Sequence, residues 1–211
     1  MSFANDVENG QTMFPSQGVS LVGRNEHENT LYLQSLTFSC AFSDSDDRCF
    51  GDKAREGREN QRYEPHEQQD QNNILKRIRL LSGTVPILKS GHVLMINSSK
   101  KDHWILPKGG WELDENLENA ALRESFEEAG VCGVLGVQLD SVMFESKSNQ
   151  NKLHMFPLYV TKVLECWPES SARRRKCVAI DDAIEYVRQF RPEYLPFLEQ
   201  IKREGLLTFK Q

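Results

Sequence analysis

The chain has 211 residues, of which 38% are hydrophobic, and it carries a net charge of −5. This length suffices for one well-cored domain, and a mean hydropathy of −0.57 indicates that polar extensions accompany it. The negative net charge argues against a nucleic-acid-binding protein that relies on bulk positive charge. No stretch approaches the roughly 20 apolar residues that a membrane span requires. Five cysteines without a CxxC pair favour reduced thiols over a disulfide framework or a zinc site. We therefore expect a cytoplasmic and/or nuclear monomer with no membrane or nucleic-acid partner.

The first third of the chain differs in composition from the rest. Residues 1–53 combine Ser, Asn, Asp and Glu with one short apolar patch, and we predict that they form a disordered N-terminal extension. Residues 51–73 are rich in Gln, Asn, Glu and Arg, so they cannot bury enough apolar surface to offset the chain entropy. We expect them to be disordered or held only by contacts with a domain over residues 74–204. Residues 205–211 then form a C-terminal tail.

From residue 74 onward, apolar stretches alternate with Gly and Pro turns in a pattern typical of strands. The predicted strands cover residues 79–88, 93–96, 104–106, 134–144 and 153–164. Helical spacing predicts helices over residues 116–129, 180–190 and 194–204, and Gly130 is the expected left-handed cap of the first. This succession indicates one α/β domain, of mixed α+β character, built on a mixed sheet.

Three glutamates gather on one side of the first predicted helix. Glu127 and Glu128 lie three and four residues after Glu124, spacings at which side chains are neighbours on a helix surface. Like charges at these spacings destabilise a bare helix by a few tenths of a kcal/mol per pair, and a divalent cation removes that cost. Carboxylate oxygens suit the hard ions Mg²⁺ and Mn²⁺, and a carbonyl of the preceding glycine turn could complete the metal shell. The alternative interpretation is a solvated acidic helix face.

The whole stretch around these glutamates has a recognisable form. Gly109 is followed after five residues by Glu115, and after seven more by the run Arg123-Glu124-Ser125-Phe126-Glu127-Glu128-Ala129-Gly130-Val131. This stretch resembles the Nudix box, a loop-helix-loop motif of phosphoanhydride hydrolases. One position departs from the box, because Ser125 stands where most family members carry a large aliphatic side chain, and we expect slightly looser packing behind the helix. The resemblance implies a Nudix fold, in which a mixed sheet lies between helices.

The resemblance also implies roles for individual side chains. Glu124 and Glu128, with Gly109, are the predicted ligands of Mg²⁺, for which Mn²⁺ is a possible substitute. Glu127 is the predicted base that activates water, although Glu127 is alternatively a ligand and Glu124 the base. Arg123 and Glu115 are predicted to orient these groups.

Basic residues outside the box point to a substrate with many phosphates. Four basic islands occur in an otherwise acidic chain, at residues 53–62, 76–79, 100–101 and 173–176, and Arg forks match phosphate oxygens in pairs. Residues 54–63, 79–83, 98–110 and 167–183 resemble the corresponding parts of fungal and plant diphosphoinositol polyphosphate phosphohydrolases. That resemblance implies that residues 54–73 are a basic arm packed on the domain. The substrate-binding residues it implies are Arg55, Arg58, Arg79, Ser98, Ser99, Lys108 and Arg175.

The sequence therefore predicts a Mg²⁺-dependent hydrolase that removes the β-phosphate from diphosphoinositol polyphosphates, small polyanionic substrates. The nearest alternative is hydrolysis of diadenosine polyphosphates, and messenger-RNA decapping is a third enzymatic reading without an evident RNA-binding extension. A non-catalytic module that binds inositol pyrophosphates is the alternative from another class. The complete set of Glu124, Glu127 and Glu128 argues against it, because a module that only binds has no need for all three.

Overall fold

The structure is a computed structural model that describes residue 54 and residues 60–69, 75–98, 103–146 and 150–208. Its strands and helices follow one another in a single mixed domain. In chain order they are β1 (Tyr63–Gln69), β2 (Leu75–Ile87), β3 (Val93–Asn97), β4 (Trp104–Ile105), β5 (Lys108–Gly110), α1 (Leu117–Glu124), a π-helical turn (Ser125–Ala129), β6 (Val131–Leu135), β7 (Val142–Glu145), β8 (Gln150–Val163), β9 (Arg175–Val178), α2 (Ile180–Phe190), a 3₁₀ turn (Pro192–Tyr194) and α3 (Leu195–Arg203). Among the described residues, no helix combines the length and the apolar character needed to cross a bilayer.

The strands form one mixed sheet in which β4, β3, β2, β8 and β6 are successive neighbours. β2 and β8 pair in parallel from Ile78 and Gln150 to Ile87 and Tyr159, and the remaining pairs are antiparallel. β1 and β5 both pair with β2, β7 pairs with β8, and β9 pairs with β3. This architecture confirms the predicted mixed α+β fold.

The central strand β2 has two different faces, because side chains alternate along a strand. Ser82 and Thr84 point toward α1 and its π-helical continuation, where their hydroxyls meet Leu117 and Ser125. Leu81, Val85 and Ile87 alternate with them and belong to the buried hydrophobic core, which also contains residues of α2 and α3. One face of the sheet at β2 is thus apolar and packs in the hydrophobic core, and the other face is partly polar and packs against the glutamate-rich helix.

Several features differ from the sequence prediction, which contained neither β5 nor β9. The single strand predicted over residues 134–144 is two strands, because β6 pairs with residues 158–163 of β8 while β7 pairs with residues 150–153. Between them, Leu139 is buried and its N–H donates to the carbonyl of Met155. The helix predicted over residues 116–129 is α-helical only to Glu124 and then continues as the π-helical turn. Residues 63–69, placed in the arm, form a strand of the sheet, and the domain boundary before residue 74 stays a prediction.

Candidate active site

The glutamate-rich helix α1 is separated by residues 111–116 from β5, the strand that contains the predicted glycine turn. β5 pairs with β2 and holds Gly109 and Gly110 opposite Ser82 and Leu81. Asn116 is the N-cap of α1, and its Oδ1 accepts a hydrogen bond of 2.7 Å from the N–H of Asn119, which satisfies one of the free donors of the first turn. At the other end Gly130 has φ 61°, the left-handed cap expected from the sequence. The turn and the helix are therefore fixed relative to the sheet at both ends.

Arg123 binds three members of the carboxylate cluster, Glu115, Glu124 and Glu127, and the fourth member, Glu128, is bound by Arg173. The Nη2 and Nε of Arg123 donate to the two oxygens of Glu115 at 2.7 and 3.0 Å, and Nη2 also donates to the carbonyl of Gly110 at 2.9 Å. Its Nη1 lies 2.7 Å from Glu124 Oε1 and 3.4 Å from Glu127 Oε2. Arg123 is only 2% exposed. Burial lowers the pKa of its guanidinium, but the hydrogen bond to Glu115 and the charge of Glu124 outweigh burial and raise it, so Arg123 keeps its charge.

The two predicted metal ligands repel each other in a buried environment. Burial raises the pKa of Glu124 to about 8, the charge of Glu128 adds to the increase, and Arg123 opposes it. Burial also raises the pKa of Glu128, against the lowering effect of Arg173 and Lys108. Glu128 Oε2 accepts a hydrogen bond of 2.9 Å from the N–H of Lys108, and its Oε1 accepts one from the Arg173 guanidinium. A positive charge near these two carboxylates therefore stabilises their ionised forms.

Gly109 lies against the carboxylate of Glu124. A Cβ atom at this position would stand 2.1 Å from Glu124 Cδ and Oε1 and 2.2 Å from Oε2. Only glycine lets the backbone pass this close to a carboxylate. The structure thus brings the three predicted metal-binding positions, 109, 124 and 128, to one place.

The donor set fits a hard divalent cation. Arg123 and Arg173 engage the oxygens of Glu124 and Glu128, and among the residues that the structure describes no group of three or more His, Cys, Asp or Glu side chains is spaced as a metal-ion shell. Buried, mutually repelling carboxylates beside a glycine backbone are suitable ligands for Mg²⁺ or Mn²⁺. Such an ion would supply charge that the arginines now provide.

Ser125, the departure from the Nudix box, is fully buried and hydrogen-bonded. Its Oγ donates to the carbonyl of Ala121 at 2.7 Å and lies 2.7 Å from Thr84 Oγ1. Because the Ser125 hydrogen is used on Ala121, the hydroxyl of Thr84 donates to Ser125. A hydroxyl pair therefore stands where the Nudix box has an aliphatic side chain, and the looser packing expected from the small side chain stays a prediction. The π-helical turn begins at this serine, and such turns occur frequently at functional sites.

The predicted substrate-binding residues lie in several environments. Arg79 is half-buried and its Nε donates to Gln61 Oε1 at 2.7 Å, Lys108 follows Pro107 at the start of β5, and the N–H of Ser98 donates to the carbonyl of His103 at 2.7 Å. Arg55, Arg58 and Ser99 lie outside the described residues. Roles in substrate binding stay predictions for all of them.

Arg175 has its guanidinium 3.9 Å from the centroid of the Trp167 ring. Its Nη1 donates to the carbonyls of Ala129 and Leu164 at 3.2 and 2.8 Å. Burial lowers the pKa of this guanidinium. These contacts tie Arg175 to the end of the π-helical turn, and its predicted contact with substrate is untested.

Two residues of the site were missed as individual candidates. Arg173 is 9% exposed; besides Glu128 it binds Glu169 Oε2 through Nε at 2.7 Å and the carbonyl of Asn97 through Nη1 at 2.9 Å. Burial lowers the pKa of Arg173, but the charge of Glu128 outweighs this and raises it. Gln61 is buried and joins Arg79 to the carbonyl of Leu80. The density of basic residues at 173–176 was a signal for Arg173, whereas nothing in the sequence singled out Gln61.

Comparison with known proteins identifies the family of this chain. The NUDIX domain model matches residues 80–201. Nudix hydrolase 18, mitochondrial, from Arabidopsis thaliana is 40% identical over 161 residues, which cover 74% of this chain and 89% of that protein. Nudix hydrolase 21, chloroplastic, from the same plant is 46% identical over 116 residues, covering 51% of this chain and 59% of that protein's length.

Two further similarities concern the substrate class of a relative and the fold. Diphosphoinositol polyphosphate phosphohydrolase 3-alpha from Mus musculus is 38% identical over 123 residues, covering 57% of this chain and 74% of that protein. The crystal structure of a MutT protein from Methanosarcina mazei Go1 matches with a TM-score of 0.51 and 23% identity, over 60% of this chain and 94% of that chain. The latter similarity concerns the fold alone.

Proposed function

Because this chain belongs to the Nudix family, whose hydrolases act on phosphoanhydride bonds, we propose that it is a Mg²⁺-dependent enzyme that removes the β-phosphate of diphosphoinositol polyphosphates. The resemblance seen in the sequence and the enzyme class are confirmed by the family match. The metal, the substrate and the roles of single residues go beyond that match. The observation that supports them best is the carboxylate cluster held by Arg123 and Arg173 beside the glycine turn.

In the proposed mechanism, Glu124 and Glu128, with the carbonyl of Gly109, hold Mg²⁺ or Mn²⁺. When bound, the ion supplies Lewis acidity toward phosphorus and lowers the pKa of a bound water. Glu127 accepts the proton of the attacking water at its carboxylate. Its Oε2 is the oxygen nearest Arg123, and Arg123 also binds Glu124, so one guanidinium sets the spacing of base and ligand. The exchange of roles between Glu124 and Glu127 is the alternative.

The substrate proposal rests on charge near the cluster. The guanidinium of Arg173 binds Glu128 and the charge of Lys108 lowers the pKa of Glu128, so both charges lie near the cluster. Basic side chains neutralise charge that develops on a leaving phosphate. A relative named as a diphosphoinositol polyphosphate phosphohydrolase shares 38% identity. A site for a diadenosine polyphosphate is expected to contain an aromatic side chain with a free face on which adenine can stack. Trp111, the aromatic next to the glycine turn, instead has the guanidinium of Arg62 4.5 Å from its ring centroid.

The deciding experiment compares turnover of a diphosphoinositol polyphosphate, a diadenosine polyphosphate and capped RNA by the full chain in Mg²⁺. We expect the first substrate to have the highest kcat/KM. Faster hydrolysis of either other substrate contradicts the substrate proposal, and tight binding without phosphate release supports the binding-module alternative instead.

The variant Glu127→Gln tests the predicted base. We expect it to abolish turnover, because the amide cannot accept the proton of water, and to leave the folded structure and Mn²⁺ binding in place. Full activity of this variant contradicts the assignment. Glu124→Gln is the matched comparison, since it is expected to weaken Mn²⁺ binding as well.

Two wider expectations remain predictions. The proposed partner is one small phosphorylated substrate, bound by a monomer. The cytoplasmic or nuclear location also stays a prediction, and the names of two plant relatives place those proteins in mitochondria and chloroplasts.

A further inference from the structure

The carbonyls at the end of the π-helical turn are satisfied by a distant segment. The last carbonyls of a helix have no partner within it. Here the carbonyl of Glu127 accepts from the N–H of Glu169 at 3.1 Å, and the carbonyl of Glu128 accepts from Trp167 Nε1 at 3.2 Å. The next carbonyl, that of Ala129, accepts from Arg175 Nη1 at 3.2 Å. Three successive residues, including two of the proposed active-site glutamates, are thus bonded to the segment 167–175.

Trp167 is the centre of this contact. A Cβ at Gly130 would lie 2.7 Å from Trp167 Cγ and Cδ2, so the indole packs directly on the glycine cap of the helix. The guanidinium of Arg175 lies over the same ring. Cation–aromatic contacts of this kind contribute most where they are desolvated. The indole therefore contacts both the end of the helix and the Arg175 guanidinium, and its N–H donates to the carbonyl of Glu128.

The same segment also binds the side chain of Glu128. Arg173 donates to Glu128 Oε1 and is itself bonded to Glu169. Glu128 is consequently held by segment 167–175 at its backbone carbonyl and at its carboxylate. A change in the peptide plane of Glu128 would move its Cα–Cβ bond and hence its carboxylate.

We propose that Trp167, supported by Arg175, is a positioning residue that sets the Glu127–Glu128 turn in the arrangement needed to bind the metal. This inference rests on the proposed function, in which Glu128 is a ligand. It assigns Arg175 to the helix end rather than to the substrate, and the two assignments make different predictions for metal binding without substrate.

The test is Mn²⁺ binding to the full chain, measured by electron paramagnetic resonance in the absence of substrate. Trp167→Phe keeps a ring against Gly130 and Arg175 but removes the N–H donor. We expect its Kd for Mn²⁺ to rise about fivefold, the effect of losing one hydrogen bond, with kcat lowered and KM little changed. Arg175→Lys keeps the charge and loses the planar stack, and a weaker effect in the same direction is expected. Arg188→Lys, on the exposed side of α2, is the matched control.

Each outcome distinguishes this inference from its alternatives. An unchanged Kd for Mn²⁺ in both variants overturns it, as does an increase in KM alone for Arg175→Lys, which would indicate a substrate contact. Thermal unfolding of each variant separates a loss of folded protein from a loss of affinity in the folded fraction. If the wild-type chain binds Mn²⁺ but hydrolyses no phosphoanhydride, the proposed function fails while the positioning role is still measurable.

Discussion

The hydroxyl pair of Thr84 and Ser125 allows a quantitative test of the site's support. Ser125→Ala removes the acceptor of the Thr84 hydroxyl, which is fully buried on β2. Leaving a buried polar group without a partner costs about 1–3 kcal/mol, and we expect the free energy of unfolding to fall by about 2 kcal/mol. Thr84→Val removes only the donor, because Ser125 keeps its bond to Ala121, so about 1 kcal/mol is expected.

The double variant decides whether the hydroxyl–hydroxyl bond exists. Once Ser125→Ala has left the Thr84 hydroxyl without a partner, removing that hydroxyl costs nothing further, so the double variant should lose about 2 kcal/mol rather than about 3. The assay is urea unfolding with EDTA present, at constant m value. Additive losses within about 0.3 kcal/mol would refute the bond, because independent sites add to within that margin. A matched control is Thr161→Val, whose hydroxyl donates to the carbonyl of Cys132 in an exposed position.

Three further predictions use other features of the site. Gly109→Ala places a Cβ about 2 Å from the Glu124 carboxylate, so we expect calorimetry to show loss of Mn²⁺ binding. Gly205→Ala has no atom within 4 Å of the added Cβ but stands at φ 66°, so it should lower stability and retain Mn²⁺ binding in the folded protein. Because burial raises the pKa of Glu124 from 4.5 to about 8, the folded metal-free protein holds a proton that the unfolded chain releases. The free energy of unfolding measured in urea should therefore decrease as the pH rises from 4.5 to about 8, and the affinity for Mn²⁺ should increase over the same range. A free energy of unfolding that increases over this range contradicts the raised pKa of Glu124. Burial also raises the pKa of Cys177 to about 12. At pH 8, iodoacetamide should therefore label the exposed Cys166 well before Cys177. Equal labelling rates of the two thiols in the native protein would argue against the burial of Cys177.

Local sequence signals predicted the helix and the approach to it well. Glycine at 130 ended the helix with positive φ because only a residue without Cβ adopts this conformation cheaply. The spacing of the glutamates predicted that their side chains lie close together, and they do so although Glu127 and Glu128 lie in the π-helical turn. These features depend on residues within two or three helical turns, which is the range over which sequence patterns are informative.

Features that depend on distant partners could not be predicted. The division of residues 134–144 into two strands follows from where each half pairs along β8, and periodicity within the stretch carries no record of that. The π-helical turn begins at a serine that bonds to β2, and Arg173 reaches Glu128 across 45 positions of sequence. In each case the deciding interaction is tertiary, so the local pattern is compatible with more than one outcome.

The parallel pairing of β2 with β8 also bears on the order of folding. Ile78 lies opposite Gln150 in this pair. Bringing together residues so far apart in the sequence costs chain entropy before the stabilising contacts between the strands can form. Segment 167–175 follows β8, whose end pairs with β6 through Val163 and Val131, so its bonds to the glutamate turn require β8 to be in place on the sheet. Full affinity for Mn²⁺ should therefore develop only after β8 has joined the sheet, which Mn²⁺ binding followed during refolding would test.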